Sequence, residues 1–78
     1  MIKLLDLFDM INSSPLRIVS SKTGQVLIRN VGIEHLDRYG QLQVICLHPE
    51  LYLLHDLCCY CRLVASVHED EFNAMKER

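Results

Sequence analysis

The segment that most restricts the fold of this chain is the apolar run Leu51–Val67, the longest in its 78 residues. His55, Asp56 and Arg62 interrupt it, and it falls short of the roughly 20 apolar residues that a membrane-spanning helix needs. No membrane span is expected, and two other readings account for the run. In a long C-terminal helix over residues 50–77, Leu51, Leu54, Cys58, Cys61, Ala65, Phe72 and Met75 form a heptad seam whose one polar member is His68. In a strand, Leu57, Cys59, Cys61, Leu63, Ala65 and Val67 make an apolar face, and Cys58, Tyr60, Arg62, Val64, Ser66 and His68 a mixed one. Ser66 followed by Glu69 has the form of a capping box. Glu69, Asp70 and Glu71, with Lys76 and Arg78 further on, complement the dipole of a separate helix. A helix that starts after Ser66 leaves the Cys-, Tyr- and Val-containing residues before it to a strand. The strand reading is preferred, with Glu50 to Asp56 as a loop or one helical turn.

Upstream, Leu4, Leu7, Phe8 and Ile11 recur at helical spacing, with Lys3, Asp6 and Asp9 on a neighbouring face. An amphipathic helix over Ile2 to Ile11 is expected, stopped by Asn12-Ser13-Ser14-Pro15. Leu16–Ser20 and Gln25–Arg29 flank Ser21-Lys22-Thr23-Gly24 and predict a β-hairpin whose core residues are Leu16, Ile18, Val26 and Ile28. A short helix through Ile33, Leu36 and Tyr39 follows, with Gly40 placed for a left-handed C-terminus. Leu42, Val44 and Cys46 alternate with Gln41 and Gln43 as a third strand that ends near His48-Pro49. The fold class is α+β: one domain over residues 1–78, with a small mixed or antiparallel sheet built from the hairpin plus two further strands. The N-terminal helix packs on it, and a short middle helix and a C-terminal helix complete it.

A chain of this length buries only about 60% of its unfolded surface, and its residues are 50% hydrophobic but only 6% aromatic. So aliphatic a small chain is expected to leave apolar surface for a partner. The eight basic residues never form a run and the net charge is -2, so the clustered cations that displace counterions from phosphates are missing and no nucleic acid is expected. Asp6 and Asp9 inside the apolar N-terminal stretch argue against a signal peptide. A cytoplasmic location with reduced thiols follows for the four cysteines.

Cys58, Cys59 and Cys61, with His48 and His55, are the most chemical-looking group, since thiolate and imidazole bind zinc. Their spacing lacks the two residues that let paired sulfurs converge on one ion, so no metal and no cofactor are expected and the cysteines read as small hydrophobes. No local motif marks a cysteine nucleophile with a histidine base. Asp6 and Asp9 read as a solvated face rather than an ion site, and Ser20–Gly24 reads as a turn rather than a phosphate loop.

The order helix, hairpin with a Lys22-Thr23-Gly24 turn, short helix ending Leu36-Asp37-Arg38, and strand closing on His48-Pro49-Glu50 resembles a loose group of small uncharacterised proteins from bacterial and phage genomes. The resemblance covers residues 2–50 and implies an α-β-β-α-β-β domain. It also implies a role as a mobile-element accessory protein that inhibits or modulates a host or defence protein. It carries over no functional residues, and the chain departs from the group at Leu51 to Tyr60 and in its charged tail. The expected function is a non-catalytic interaction module that presents Leu51, Tyr52, Leu53, Leu54 and Tyr60 to a protein partner or to a second copy in a homodimer. The alternative is a thiol-dependent metal-binding or redox protein centred on Cys58, Cys59 and Cys61.

Overall fold

A computed structural model describes residues 2–13, 16–55 and 58–77, with the backbone alone described at 12–13, 51–55 and 58–61. In chain order the elements are β1 (Ile2–Lys3), a 3-10 turn (Leu4–Leu7), α1 (Phe8–Ser13), β2 (Leu16–Ser20), β3 (Val26–Ile28), a second 3-10 turn (Ile33–His35), α2 (Leu36–Tyr39), β4 (Gln43–His55), β5 (Cys58–Val67) and α3 (Glu69–Lys76). The strands form one sheet in the order β1-β4-β5-β2-β3. All neighbours run antiparallel except β2 and β5, which pair in parallel from Leu16↔Leu63 to Ser20↔Val67. The architecture is therefore α+β, with a mixed sheet, the N-terminal helix packed on it, and short middle and C-terminal helices. The long helix over residues 50–77 does not form: α3 begins at Glu69, and β5 occupies the residues before it.

The helices cover one face of the sheet. Leu4, Leu7 and Ile11 from the N-terminal layer, Tyr39 from α2, and Phe72 and Met75 from α3 join Leu16, Ile18, Val44, Ala65 and Val67 from the strands in one buried cluster. Tyr39 and Phe72 stack with ring centroids 4.8 Å apart, which ties α2 to α3. The Gln43 amide donates to Glu71 Oε1 at 2.8 Å, and Arg38 Nη1 donates to the Lys76 carbonyl at 3.2 Å, where the last turn of α3 has carbonyls to spare.

Local expectations shift where pairing overrides propensity. The predicted helix over Ile2 to Ile11 starts instead as a strand: Ile2 pairs with Val44 and Lys3 with Gln43. The Leu4 and Leu5 amides then continue toward the Leu42 and Gly40 carbonyls at 2.8 and 2.9 Å. The 3-10 turn that follows stacks Leu4 over Leu7 and rotates Phe8 outward, where it is 42% exposed. Of the residues foreseen as its stop, Asn12 and Ser13 belong to α1, which ends at Ser13, and Ser14 and Pro15 lie outside the described residues. Strand β4 does not end at Pro49, and Glu50 to His55 continue it instead of forming a loop or helical turn. Pro49 is tolerated because β1 accompanies β4 only at Gln43 and Val44, so Pro49 sits on an edge where a missing donor costs no ladder bond.

Register shifts redirect side chains in β4 and β3. The register slips between Val44 and Cys46, so Ile45 is the extra residue. Leu47, not Cys46, then takes the inward position, and Cys46 is exposed. A second slip between Ile18 and Val19 pairs Val26 with Val19, so Val26 leaves the expected core and is 43% exposed, whereas Ile28 opposite Ile18 packs against it. Ser66 belongs to β5, paired with both Val19 and Cys46, and the extended residue before α3 is His68. Gly24 has the expected positive φ of 77°, but Gly40 is right-handed at φ -57°. Its requirement is space, because an added Cβ would lie 2.6 Å from the Leu36 carbonyl oxygen.

Candidate interaction surface

Strands β4 and β5 stay paired from Val44↔Val67 out to His55↔Cys58. Their neighbours do not follow: β2 leaves β5 at Leu63, opposite Pro49, and β1 leaves β4 at Val44. Residues 50–55 and 58–62 therefore form a two-stranded arm, about 20 Å long at the usual rise per residue. The longest dimension of the molecule is 43 Å, against 26 and 22 Å for the others.

All five residues expected to form the interaction surface lie in this arm. The register sets Leu51 opposite Cys61, Tyr52 opposite Tyr60 and Leu53 opposite Cys59, and Leu54 falls within the shift between Leu53 and His55. Strand alternation gives positions 51, 53, 59 and 61 the same face as the core residues Leu47 and Leu63, and positions 52 and 60 the opposite face. The side chains of these residues, and those of the metal candidates Cys58, Cys59, Cys61 and His55, lie outside the described residues.

At the base of the arm the sheet face away from the helices is open. Arg17 and Val19 alternate with the buried Leu16, Ile18 and Ser20, and Arg62, Val64 and Ser66 alternate with Leu63, Ala65 and Val67. Val64 is only 3% exposed although it stands outside the core cluster. Its register neighbours are Arg17 on β2 and His48 on β4. Glu50 pairs in register with Arg62, and its Oε1 stands 3.7 Å from Arg17 Nη1. With side chains 24% and 45% exposed, that ion pair contributes no more than about 1 kcal/mol. Arg17 Nε is buried and has no hydrogen-bond partner. Periodicity alone places Arg17 on the non-core face, but reading Glu50 as part of a loop hid their meeting.

No group of three or more His, Cys, Asp or Glu gathers among the described residues, and the register separates His48, opposite Val64, from the three clustered cysteines. Cys46 is a free, exposed thiol. Asp6 and Asp9 do not share one regular helix: Asp6 lies in the 3-10 turn, where its Oδ2 accepts the Lys3 amide at 2.9 Å, and Asp9 lies in α1. Ser20–Gly24 is a turn, with the buried Ser20 Oγ accepting the Lys22 and Thr23 amides at 3.3 Å. Two shallow clefts are lined by Ser21, Lys22, His68, Glu69 and Asp70, and by Glu34, His35, Asp37, Arg38 and Tyr39. In the second, His35 Nδ1 accepts the Gly32 amide at 2.9 Å, so that nitrogen carries no proton for the Glu34 carboxylate 3.9 Å away. Among the described residues no helix is long and apolar enough to cross a membrane.

No known protein family, curated protein or solved structure matches this chain.

Proposed function

We propose that this protein is a non-catalytic interaction module whose contact element is the β4–β5 arm. The observation that carries the reading is the pairing of β4 with β5 beyond the last residue accompanied by β2 or β1. A lone two-stranded ribbon is marginal in water, and its outer edges present unpaired amides and carbonyls to another chain. Its sequence is apolar at Leu51, Leu53, Leu54 and Leu57 and aromatic at Tyr52 and Tyr60, the composition of an interface core. A protein partner or a second copy would bury it. The inhibitor or modulator role implied by the resemblance would act through the same element.

The test is light scattering on the whole protein beside a variant in which residues 51–61 are replaced by Asn-Gly, a turn that keeps Glu50 opposite Arg62. The parent is expected to self-associate or to retain a protein in pull-down, and the shortened variant to remain folded and do neither. A parent that stays strictly monomeric at high micromolar concentration and retains nothing would defeat the proposal.

The thiol-dependent reading rests on one observation, that Cys59 and Cys61 occupy the same face of the arm while Cys58 pairs with His55. Metal analysis of protein purified without chelator tests it. Sub-stoichiometric zinc, with unchanged folding after Cys→Ser at positions 58, 59 and 61, would remove it.

A further inference from the structure

The charges of this chain are sorted by layer. The helical layer holds eight carboxylates, Asp6, Asp9, Glu34, Asp37, Glu69, Asp70, Glu71 and Glu77, against only Arg38 and Lys76, a formal balance of -6. The sheet and its turns hold Lys3, Arg17, Lys22, Arg29 and Arg62 against Glu50, a balance of +4; Asp56 and Arg78 cancel, which returns the chain total of -2. Lys22 lines a cleft with Glu69 and Asp70 of the helical layer, so the cations that strand alternation places on the sheet face away from the helices are Arg17 and Arg62, a distribution that orients charged partners.

On that face, Arg17 is only partly bonded. Its Nη1 stands 3.7 Å from Glu50 Oε1, beyond hydrogen-bond reach, and its Nε is buried without an acceptor. A guanidinium presents a planar fork that fits a carboxylate with two parallel bonds. A buried donor with no partner gains more from an incoming acceptor than a hydrated one does. Around it lie the partly buried Val19, the exposed Val26 opposite it, and Val64 beneath. Along the same face, strand alternation continues to positions 52 and 60, both tyrosine.

We infer that the open face of the sheet at the base of the arm, centred on Arg17, docks a partner protein segment that carries carboxylates interspersed with apolar side chains. The inference rests on the interaction-module reading and names the partner's chemistry. Glu50 on the same face disfavours a phosphate backbone, and the partly buried Val19 with the exposed Val26 favours a peptide with apolar side chains over a nucleic acid. In the free protein Glu50 occupies the approach to Arg17 at a distance too long to satisfy it, and an incoming carboxylate completes what Glu50 leaves undone.

The test is an amide-resonance titration of the whole protein with three probes: a short peptide alternating Glu with Leu, the same peptide with Gln for Glu, and oligouridylate. The Glu peptide is expected to move the signals of Arg17, Val19, Val64 and Ser66 and to weaken as salt is raised. Its affinity should fall about ten-fold in Arg17→Gln, fall less in Arg17→Lys, and rise in Glu50→Gln. Unperturbed signals elsewhere in Arg17→Gln show that the variant is folded. Equal binding of the Gln peptide, or full affinity in a folded Arg17→Gln, overturns the inference. Oligouridylate moving these signals in place of the peptide overturns it in favour of a nucleic-acid face. Salt-sensitive self-association through these same signals overturns it in favour of a second copy seated by its acidic helical layer. Repeating the titration on the shortened-arm variant separates the two ideas. Binding retained there, with no assembly by the parent, removes the arm reading alone; assembly by the parent without peptide binding removes only this inference.

Discussion

Single residues in this domain are constrained by backbone geometry as much as by side-chain contacts. Gly24 adopts φ 77° in open space, so Gly24→Ala meets no neighbour and costs only the left-handed penalty of roughly 1–2 kcal/mol. Gly40→Ala is expected to cost more, because its Cβ would press on the Leu36 carbonyl oxygen, part of the backbone and unable to swing aside. Urea unfolding of the two variants checks that order, and equal losses would show that the helical turn at Leu36 relaxes. Ser20 stands on the core face at 1% exposure, where a hydroxyl is tolerated because it serves the Lys22 and Thr23 amides. At the base of the arm, Glu50→Gln should change stability by less than about 1 kcal/mol, as expected for a half-exposed ion pair. A larger loss by the same measurement would mean that Glu50 supports the sheet rather than screening Arg17.

At the scale of elements, α3 is held by three attachments of different kinds: the Tyr39–Phe72 stack, the Glu71 carboxylate on the Gln43 amide, and the Arg38 guanidinium on its last turn. Phe72→Ala removes both the stack and core volume and should cost roughly 3–5 kcal/mol. Glu71→Gln keeps the geometry but loses the charge, and should cost about 1 kcal/mol. Thermal melts of the two variants would reveal a wrong ranking directly. The existence and type of most elements were legible because periodicity and punctuation agreed: Leu16 and Ile18 alternate into the core, Gly24 turns the hairpin, and the acidic Glu69-Asp70-Glu71 opens α3. What could not be read was set by partners distant in sequence. A bulge at Ile45 depends on how β4 meets β5, so Leu42-Val44-Cys46 looked like an unbroken core face when only its first two members are. Ile2 and Lys3 read as helix because the edge of β4 that captures them lies forty residues away. Of the candidate interaction surface, the sequence marked the apolar segment and the strand over its second half but not the strand over Glu50 to His55, since Pro49 reads as a stop unless the strand is known to be an edge.

For the whole molecule, the layered arrangement makes the two faces of the sheet chemically unlike. One is sealed by helices bearing most of the carboxylates, and the other is left open with Arg17 and Arg62 across its centre. The docking proposed at Arg17 predicts salt-sensitive association at constant fold. Raising ionic strength should weaken contacts made by the open face while leaving the unfolding midpoint nearly unchanged, because the described core cluster is apolar. A midpoint that moves in step with association would place the charges in the folding balance instead.

The parallel pairing of residues 16–20 with 63–67 also sets an order of events in synthesis. Strand β5, central in the sheet, is the last of the five strands in chain order. The β2–β3 hairpin therefore emerges from the ribosome with the side that will receive β5 still vacant, and the N-terminal helix has no finished sheet to rest on. Closing that pair joins the two ends of the domain in one step of high contact order. Nascent chains arrested before Leu63 should be cut by protease throughout, whereas chains arrested with α3 fully emerged should resist.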